Sequence, residues 1–431
     1  MNILILGSGG REHAFAWKLV ASPQCDRLYV APGNAGTGKL AENLPIDPND
    51  FPAVAAQVMA KDIQLVIVGP EEPLARGVRD YFDQHSQLKK VLLVGPGKEG
   101  ALLESSKDFA KQFMNKYGIP TARHRTFNLE TLEEGLEYLR GQEMPIVLKA
   151  DGLAAGKGVV ICQTPSEAER NLHEMLAEAK FGAASSQVVV EQFLEGIEVS
   201  VFVLTDGTHY KILPEAKDYK RIGDGDTGPN TGGMGAISPV QFADHDFMQK
   251  VEQQIIIPTI EGLKNEGIHY RGFIFLGLIN VKGNPMVIEY NVRMGDPETQ
   301  AVLPRLKSDM VDLMTACARG KLSEVSIEID SRSSATVVMV SGGYPESYQK
   351  GYPISGLEQE TSSLIFHAGT DLRAGHVHTN GGRVLAITSL DDVMENALSN
   401  AYQTVSNISW EDANFRRDIG QDLLVNSNKS V

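Results

Sequence analysis

Cysteine is scarce in this sequence, and long apolar runs are absent. The three cysteines, Cys25, Cys162 and Cys317, stand far apart and form no C-x-x-C pair, so the pattern favours neither a disulfide framework nor a zinc site. No run of about eighteen uncharged apolar residues occurs, which predicts a protein without a transmembrane helix. The N-terminal "MNILILGSGG" has no basic flank. We therefore expect no signal peptide and a cytoplasmic protein.

Positive charge is also in short supply. The 431 residues include 40 Lys and Arg against 55 Asp and Glu, a formal net charge of -15. Binding to nucleic acid or to a membrane surface needs a basic face, so we expect neither partner. An anionic ligand must then meet a local concentration of cations. Hydrophobic residues make up 42%, enough for about two to four domains, and we expect a monomer or a weak homo-oligomer.

The first hundred residues alternate apolar strands with helical stretches. The strands are "NILILG", "RLYVA", "LVIVG" and "VLLVG", a pattern that predicts an open parallel sheet with helices on both faces. Ligands bind at the carboxyl ends of such strands, where the glycine-rich loops lie. A dinucleotide site is a poor alternative, because Glu12 replaces the third glycine of that fingerprint and no acidic residue follows Val30-Ala31.

The stretch "KADGLAAGKGVV" resembles a phosphate-binding P-loop but departs from it. Only three residues separate Gly152 from Gly156, Gly158 follows Lys157, and the chain continues as a β-branched run. A helix start is indicated only later, at Thr164. The stretch therefore predicts a hairpin lid between the strands "PIVLKA" and "GVVIC", whose backbone N–H groups can wrap phosphates.

The pattern of predicted helices and strands changes twice in the remaining chain. A helix "LESSKDFAKQFMNKYG", with Ser105 or Ser106 as its cap, introduces an α+β stretch that contains the lid and a glycine-rich loop, "GDGDTGPNTGGMGA". Short strands with frequent turns follow residue 330. We therefore predict an α/β domain over residues 1–103, a central domain over 104–328 with its lid-bearing part at about 119–190, and a mostly β domain over 329–431.

The strand "VIEYNVRMGDPE" carries polar residues at every second position. Its period of two places Glu289, Asn291 and Arg293 on one face, with Ile288, Tyr290 and Val292 on the other. Carboxylate and amide oxygens suit magnesium, and phosphate oxygens usually complete its shell. Arg293 can hold an anion beside the metal. A surface strand with its polar side in water is the alternative.

Several residues elsewhere could meet a nucleotide. Lys149 ends an apolar strand, where a bound anion would offset its desolvation. The alternative is an edge-strand lysine whose ammonium group reaches solvent. Lys107, taken by itself, is interpreted as a solvent-exposed position on a helix. Glu191 and Glu198 bracket a hinge that could bind an adenine edge through its backbone, or be an ordinary connection. The cluster "PEAKDYKR", with Lys217, Asp218, Lys220 and Arg221, is a local basic patch or a solvated turn.

Taken in order, Lys107, Lys149, the hairpin, Glu191 with its hinge and Glu289-x-Asn291-x-Arg293 resemble the ATP-grasp ligases. More narrowly, the motifs "GGREHA", "APGNAG", "VGPEEPL", "DTGPNTGGMGA", "EYNVRMGDPETQ" and "FHAGT" are similar to those of the phosphoribosylamine-glycine ligase family (glycinamide ribonucleotide synthetases) of purine biosynthesis. The resemblance runs from residue 1 to about 420. It implies a central ATP-grasp fold and ATP-dependent ligation of glycine to 5-phosphoribosylamine through a glycyl phosphate.

The resemblance also implies roles for individual residues. ATP should contact Lys107, Lys149, Gly156, Lys157, Gly158, Glu191, Gln192, Phe193, Leu194 and Glu198. Mg²⁺ or Mn²⁺ should bind Glu289 and Asn291, and the catalytic residues should be Arg293, Lys149 and Asp218. Glycine should lie between Asp218 and Arg293. Phosphoribosylamine should contact Gly9, Gly10, Arg11, Glu12, Asn34, Glu71, His367, Gly369 and Thr370.

Two positions depart from the family pattern. Where the family usually reads Gln-Asp-His-Lys-Arg, this chain has Lys217 and Tyr219 beside Asp218, so the amide and the imidazole of that motif are absent and Asp218 is kept. One alternative is another ATP-grasp carboxylate-amine ligase, against which "GGREHA" and "HAGT" argue. The other is a nucleotide-binding regulatory protein without catalysis, which predicts the loss of a metal or phosphate residue; none is lost.

Overall fold

The computed structural model describes residues 1–153 and 158–427, apart from the side chains of residue 183 and residues 425–427. Gly156 and Lys157, two of the predicted lid residues, lie outside this part. Among the described helices, none has the length and apolar character needed to cross a membrane.

The N-terminal segment folds as the predicted parallel sheet. Its strands align in the order β3-β2-β1-β4-β5, all parallel, and the inner residues of β1 and β4 are buried on both faces, as apolar runs in parallel sheets are. The strands are β1 (Asn2–Gly7), β2 (Arg27–Pro32), β3 (Glu42–Asn43), β4 (Ile63–Val68) and β5 (Leu92–Val94); the helices are α1 (Gly10–Val20), α2 (Thr37–Leu40), α3 (Phe51–Ala60), α4 (Glu71–Ala75) and α5 (Val78–Gln84).

Two helices lead from this sheet into the central segment. They are α6 (Lys98–Ser105) and α7 (Lys107–Lys116). Ser106 separates them in an extended conformation, and its hydroxyl accepts a hydrogen bond from the Phe109 N–H. The predicted N-cap is thus confirmed for the second helix. The sequence alone did not indicate the first.

The lid-bearing stretch is a four-stranded antiparallel sheet in the order β6-β9-β7-β8. Strands β7 and β8 pair in register from Ile146↔Cys162 to Lys149↔Val159, so the predicted hairpin is confirmed on both sides of residues 154–157. Thr164 caps the following helix as predicted. The elements are β6 (His124–Asn128), α8 (Leu132–Arg140), β7 (Ile146–Ala150), β8 (Val159–Cys162), α9 (Pro165–Ala177) and β9 (Gln187–Gln192).

A second antiparallel sheet, ordered β11-β10-β16-β17, forms the other half of the central segment. Helices α10 and α11 are joined by a π-helical turn at Glu252–Ile256. The elements in chain order are β10 (Ile197–Thr205), β11 (Tyr210–Ile212), β12 (Lys217–Asp218), β13 (Arg221–Gly223), β14 (Thr227–Asn230), β15 (Gly235–Ser238), α10 (His245–Val251), α11 (Ile257–Asn265), β16 (Gly272–Val281) and β17 (Asn284–Asn291).

A bulge corrects the predicted alternation of β17. Gly277 pairs with Glu289 while Leu278 pairs with Val287, so Ile288 is the extra residue. Val287, Tyr290 and Val292 therefore form the buried side, and Ile288 is only half-buried. Glu289 and Asn291 keep their common face.

The last sheet crosses the predicted boundary at residue 328/329. Its order is β12-β15-β18-β22-β19, so two strands from the central segment complete it, and our three-domain division remains a proposal about the chain. The elements after β17 are α12 (Glu298–Val302), α13 (Met310–Arg319), β18 (Ser333–Val340), β19 (Leu364–His367), β20 (Thr370–Arg373), β21 (His376–Thr379), β22 (Arg383–Asp391), α14 (Met394–Asn407) and α15 (Gln421–Ser427).

The stretch predicted as one glycine-rich loop, residues 223–236, contains β14 and the first two residues of β15. Strand β15 pairs with β18, where a side chain at Gly235 would meet the Thr336 carbonyl oxygen at 2.7 Å. The partner strand lies about a hundred residues further along the chain, and local composition carries no signal for such a contact.

Candidate active site

A buried ion-pair cluster lies between α7 and the lid-bearing sheet. One carboxylate oxygen of Glu191 is 3.1 Å from Lys111 Nζ and 3.0 Å from Lys149 Nζ, and all three side chains are buried. Burial alone would raise the pKa of Glu191, but the ammonium groups of Lys149 and Lys111 lower it. The other oxygen of Glu191 is buried without a hydrogen-bond partner among the described residues. An unmet acceptor in a buried cationic cluster suits a ligand that donates a hydrogen bond.

Lys111 was missed by the sequence reasoning. Its Nζ donates to the Thr121 hydroxyl at 2.7 Å, and burial lowers its pKa to about 8. Lys149 also donates to the carbonyl of the bulged Ile288 at 3.1 Å. The cluster therefore ties the lid-bearing sheet to β17. The only signal in the sequence was the i, i+4 spacing of Lys107 and Lys111, which places both on one helix face.

Lys107 lies where the hairpin leaves β7. Its Nζ donates to the carbonyl oxygens of Asp151 at 3.4 Å and Gly152 at 3.2 Å. Burial and the charge of Lys149 lower the pKa of Lys107, against the opposite influence of Glu289. The Asp151 carboxylate accepts from the Asp108 N–H at 2.8 Å. The N-terminus of α7 therefore holds the base of the hairpin, and Lys107 points toward the same interior as Lys149.

The predicted adenine hinge joins β9 to β10. Gln192 is exposed, while Phe193 and Leu194 are half-buried, so the hinge offers an accessible backbone beside an apolar wall. Glu198, at the start of β10, is 2.6 Å from Lys220 Nζ, and this cation lowers the pKa of Glu198. Gly158, at the other side of the hairpin, accepts a hydrogen bond from the Ala150 N–H at 2.8 Å.

Arg293 joins the polar face of β17 to the N-terminal segment. Its Nη2 donates to Glu104 at 2.7 Å and to the Asn291 side-chain oxygen at 3.3 Å, and its Nε lies 3.5 Å from Glu71. Buried Glu104 also accepts from the Val292 N–H at 2.8 Å. Burial raises the pKa of Glu104, against the influence of Arg293. Glu104, which was not predicted, therefore holds the Arg293 guanidinium beside Asn291.

Glu289 is the free carboxylate of this face. Among the described residues its side chain makes no hydrogen bond or ion pair, yet its charge acts on Lys107, Lys220 and Arg293. No group of three or more His, Cys, Asp or Glu side chains in the described part could hold a metal by itself. A divalent cation on Glu289 and Asn291 therefore needs ligand oxygens from elsewhere, as Mg²⁺ commonly takes from phosphates.

A second acidic group faces the same interior. Glu298, at the start of α12, is buried and accepts from the Ser200 hydroxyl at 3.2 Å. Burial and the neighbouring charge of Asp218 raise the pKa of Glu298, and burial raises that of Asp218. The Lys220 ammonium opposes both shifts. A small ammonium group beside these two buried carboxyl groups would stabilise their charged forms. Glu298 was not among the predicted residues.

A cavity of about 280 Å³ opens at the carboxyl ends of β1 and β2, against the C-terminal sheet. Asn34 organises it: its amide nitrogen donates to the carbonyls of Ser8 at 2.9 Å and His367 at 2.8 Å. Arg383 supplies a guanidinium that donates to the Gly232 carbonyl at 2.6 Å and to the Asp296 carbonyl. The lining residues are Ser8, Gly9, Gly33, Asn34, Asp296, Tyr344, Ala368, Gly369, Thr370, Asn380 and Arg383. Arg383, Asn380 and Tyr344 were not predicted.

The remaining N-terminal site residues lie beneath this cavity. Glu12 accepts from the Gly9 N–H at 2.6 Å and from Arg11 Nε at 2.5 Å, and Arg11 also donates to the Met294 carbonyl at 3.1 Å. A side chain at Gly7 would meet the Glu12 side chain at 2.6 Å. Glu12 thus replaces the third fingerprint glycine because its carboxylate spans the loop. The substrate contacts predicted for this cavity all stay predictions, at Gly9, Gly10, Arg11, Glu12, Asn34, Glu71, His367, Gly369 and Thr370.

Two buried histidines join α1 to β19 behind the cavity. The His367 N–H donates to His13 Nδ1 at 2.7 Å, and His367 Nδ1 lies 3.1 Å from the Thr370 hydroxyl. Burial, with the nearby charge of Lys39, lowers the pKa of His13 to about 3 and that of His367 to about 4. Both rings are therefore neutral at pH 7, and they set the position of Thr370.

The two buried histidines predict that the folded protein loses stability as the pH falls below about 6.5. Because both folded-state pKa values lie below 6.5, the unfolded chain binds more protons as the pH falls from about 6.5 to 4. The free energy of unfolding should then fall by up to about 1.4 kcal/mol per pH unit for each histidine. Denaturant titrations at several pH values should show a shallower fall for His13→Asn, whose amide oxygen can still accept from the His367 N–H. Parallel curves for the two proteins would contradict this.

Comparison with known proteins gives a consistent result. The phosphoribosylglycinamide synthetase family models match in three parts, the N domain over residues 1–104, the ATP-grasp (A) domain over 105–299 and the C domain over 334–422. Proteins named phosphoribosylamine–glycine ligase from Vibrio cholerae and Escherichia coli K12 are 48% and 46% identical to this chain, with 97% of this chain and 98% of each relative covered.

Solved structures agree. A crystal structure of phosphoribosylamine–glycine ligase from Thermotoga maritima matches with a TM-score of 0.85 at 35% identity, covering 97% of this chain and 100% of that one. A biotin carboxylase complex from Campylobacter jejuni has a TM-score of 0.72 at 15% identity over 96% of this chain and 92% of its own, a likeness of fold alone. The expected multidomain α/β and α+β architecture with a central ATP-grasp fold is confirmed.

Proposed function

The chain belongs to the phosphoribosylglycinamide synthetase family, and from that premise we propose that it is an ATP-dependent carbon–nitrogen ligase joining glycine to 5-phosphoribosylamine in purine biosynthesis. The observation that carries the proposal is Arg293. Its guanidinium contacts both the metal-binding candidate Asn291 and two carboxylates of the N-terminal side, Glu104 and Glu71. A glycine held beside Arg293 could therefore meet both ATP on the central sheets and an amine from the N-terminal cavity.

ATP is assigned to the space between the two central sheets. The adenine would rest on the hinge Gln192, Phe193 and Leu194, where the unmet oxygen of Glu191 can accept from its amino group. Lys107 and Lys149 would hold the phosphates, with Gly156, Lys157 and Gly158 of the predicted lid above them and Glu198 toward the ribose. Mg²⁺ or Mn²⁺ on Glu289 and Asn291 would neutralise charge on the transferring phosphoryl group.

The chemistry proceeds by two displacements. A glycine carboxylate oxygen attacks the γ-phosphorus and ADP leaves, which gives glycyl phosphate. The phosphoribosylamine nitrogen then attacks the glycyl carbon; phosphate leaves with that oxygen, the amine loses a proton and the amide forms. Arg293 would hold the glycine carboxylate and the charge that develops on it, while Asp218 would hold the glycine ammonium. No covalent enzyme intermediate is needed.

Phosphoribosylamine is assigned to the N-terminal cavity. Its sugar would meet Gly9 and Asn34, and its phosphate would meet Thr370, Gly369 and the Arg383 guanidinium. Arg383 already binds the Asp296 carbonyl, three residues after Arg293. The cavity and Arg293 are therefore linked through one stretch of chain, an arrangement that would let the amine approach the glycine carbonyl.

Replacement of Arg383 by glutamine is expected to raise the KM for phosphoribosylamine at least about tenfold, because a charge-assisted contact to phosphate is lost. The KM values for ATP and glycine should stay within about twofold, since Arg383 lies outside their assigned pockets. Initial rates with each substrate varied in turn give the three values. An equal rise in all three would instead point to a change in folding.

The activity itself is tested by omission. Phosphate release from Mg-ATP should require both glycine and phosphoribosylamine, the latter formed in place from ribose 5-phosphate and ammonia. Release with a different amino acid or amine would favour another ATP-grasp carboxylate-amine ligase. A protein that binds ATP and releases no phosphate under any of these conditions would be the non-catalytic regulator considered from the sequence.

A further inference from the structure

The C-terminal segment Arg416–Asp422, called here the C-terminal clamp, packs against the back of the glycine pocket. Buried Arg416 donates to the Arg221 carbonyl at 3.2 Å and to Asp226 at 2.6 Å. Asp418 accepts from the Gly225 N–H at 2.7 Å. The clamp therefore holds the chain that leads away from β12, although it lies about two hundred residues further along the sequence.

Asp422 reaches β12 itself. One carboxylate oxygen accepts from the Tyr219 hydroxyl at 2.6 Å, and the other lies 3.1 Å from Lys217 Nζ. The Lys217 ammonium also sits 3.7 Å from the centroid of the Tyr219 ring, a cation–π geometry. The side chains of Lys217 and Tyr219 are less than a tenth exposed. Asp422 therefore supplies the counter-ion that this buried cation has among the described residues.

Asp218, which lies between Lys217 and Tyr219, faces away from the C-terminal clamp. Side chains alternate along an extended strand, so Lys217 and Tyr219 point to the clamp while Asp218 points with Lys220 into the site. The charge of Lys217 still acts on both Asp218 and Glu198, although burial and Lys220 are the larger influences on the pKa of Asp218. A change in the position of this ammonium would therefore be felt at the carboxylate assigned to the glycine ammonium.

We propose that the C-terminal clamp, through Asp422, is a positioning element of the glycine pocket that keeps the Lys217 ammonium from neutralising Asp218. This inference rests on the proposed function, because it takes glycine to be the ligand of Asp218. Without the Asp422 charge, the Lys217 side chain is drawn toward Asp218 and competes there with the glycine ammonium. Asp422 is thus a positioning residue that touches no substrate.

The variant Asp422→Asn tests this, because its amide oxygen can still accept from Tyr219 while the charge opposite Lys217 is gone. We expect the KM for glycine to rise about tenfold, with kcat and the KM for ATP within about twofold. Adding Lys217→Gln removes the competing cation, and the double variant should return the glycine KM to near the wild-type value. A merely structural role for Asp422 would predict no such rescue.

Asp418→Asn is the matched control, since it weakens the same clamp without touching Lys217. It should lower the melting temperature and leave the glycine KM unchanged. A glycine-dependent wild type whose KM is unaltered by Asp422→Asn, or altered without rescue by Lys217→Gln, overturns this inference alone. A wild type that consumes ATP without any need for glycine overturns the proposed function, and this inference with it.

Discussion

Replacement of Glu289 by glutamine is expected to lower kcat by at least about a hundredfold, because the proposed metal site would lose its assigned carboxylate while phosphoryl transfer depends on neutralising the transferring group. The Glu289 side chain makes no hydrogen bond among the described residues. Glutamine has nearly the same size as glutamate, so Glu289→Gln fits against Gly277 as the native side chain does. The free energy of unfolding should therefore change by less than about 1 kcal/mol. Steady-state rates at increasing Mg²⁺ concentration give kcat and the apparent metal affinity.

The control for this prediction is Asp50→Asn, an exposed carboxylate that caps α3 far from the site. It should keep full activity and nearly full stability, because an asparagine side chain caps a helix about as well as an aspartate. A Glu289→Gln enzyme that retains wild-type turnover at low Mg²⁺ concentration would remove Glu289 from the metal site. The assignment of magnesium to this face of β17 would then fail as well.

Replacement of Arg293 by glutamine should have two separable effects. The kcat/KM for glycine should fall by at least about a hundredfold, because the cation beside the reacting carboxylate is gone. The free energy of unfolding should also fall by about 3 kcal/mol, because buried Glu104 loses its counter-ion. Initial rates and denaturant unfolding measure the two effects independently.

The second variant that separates them is Arg293→Gln combined with Glu104→Gln. Removing the buried carboxylate should recover most of the lost stability, since no unpaired charge remains, and should recover none of the activity. Recovery of activity together with stability would mean that Arg293 supports the fold only. Its assignment to the glycine carboxylate would then be wrong.

Local sequence patterns predicted most of the secondary structure elements. Apolar runs predicted the N-terminal parallel sheet, and capping residues such as Ser106 and Thr164 marked helix starts that the structure confirms. The errors arose where pairing is non-local. Strand β15 was taken for loop because glycine has low strand propensity, and its partner β18 lies about a hundred residues away. The bulge at Ile288 was likewise invisible, since it depends on the register with β16.

The candidate site residues likewise divide into those marked by a local motif and those that depend on distant contacts. Residues in motifs with a chemical pattern were found, among them Lys149, Glu191 and Glu289, and the structure brings them toward one interior. Residues that serve through distant partners were not: Lys111 meets Glu191, and Glu104 meets Arg293 across nearly two hundred residues. Arg383 belongs to an apolar strand whose end reaches the cavity only in the folded sheet.

The departures at Lys217 and Tyr219 have a physical account in the structure. In the sequence they only weakened the glycine assignment. In the fold both contact Asp422, so they form part of a packed junction with the C-terminal clamp and leave Asp218 on the side of the site. Whether this junction tunes glycine affinity is what the rescue of Asp422→Asn by Lys217→Gln measures.

The central claim is that glycine is activated as an acyl phosphate beside Arg293. Its most direct test is the fate of the carboxylate oxygens: the reaction is run with glycine labelled by ¹⁸O at both, and the released phosphate is examined by mass spectrometry. Each phosphate should carry one ¹⁸O atom, because the oxygen that attacks the γ-phosphorus leaves with it. Phosphate without label, formed together with the amide product, would contradict the account.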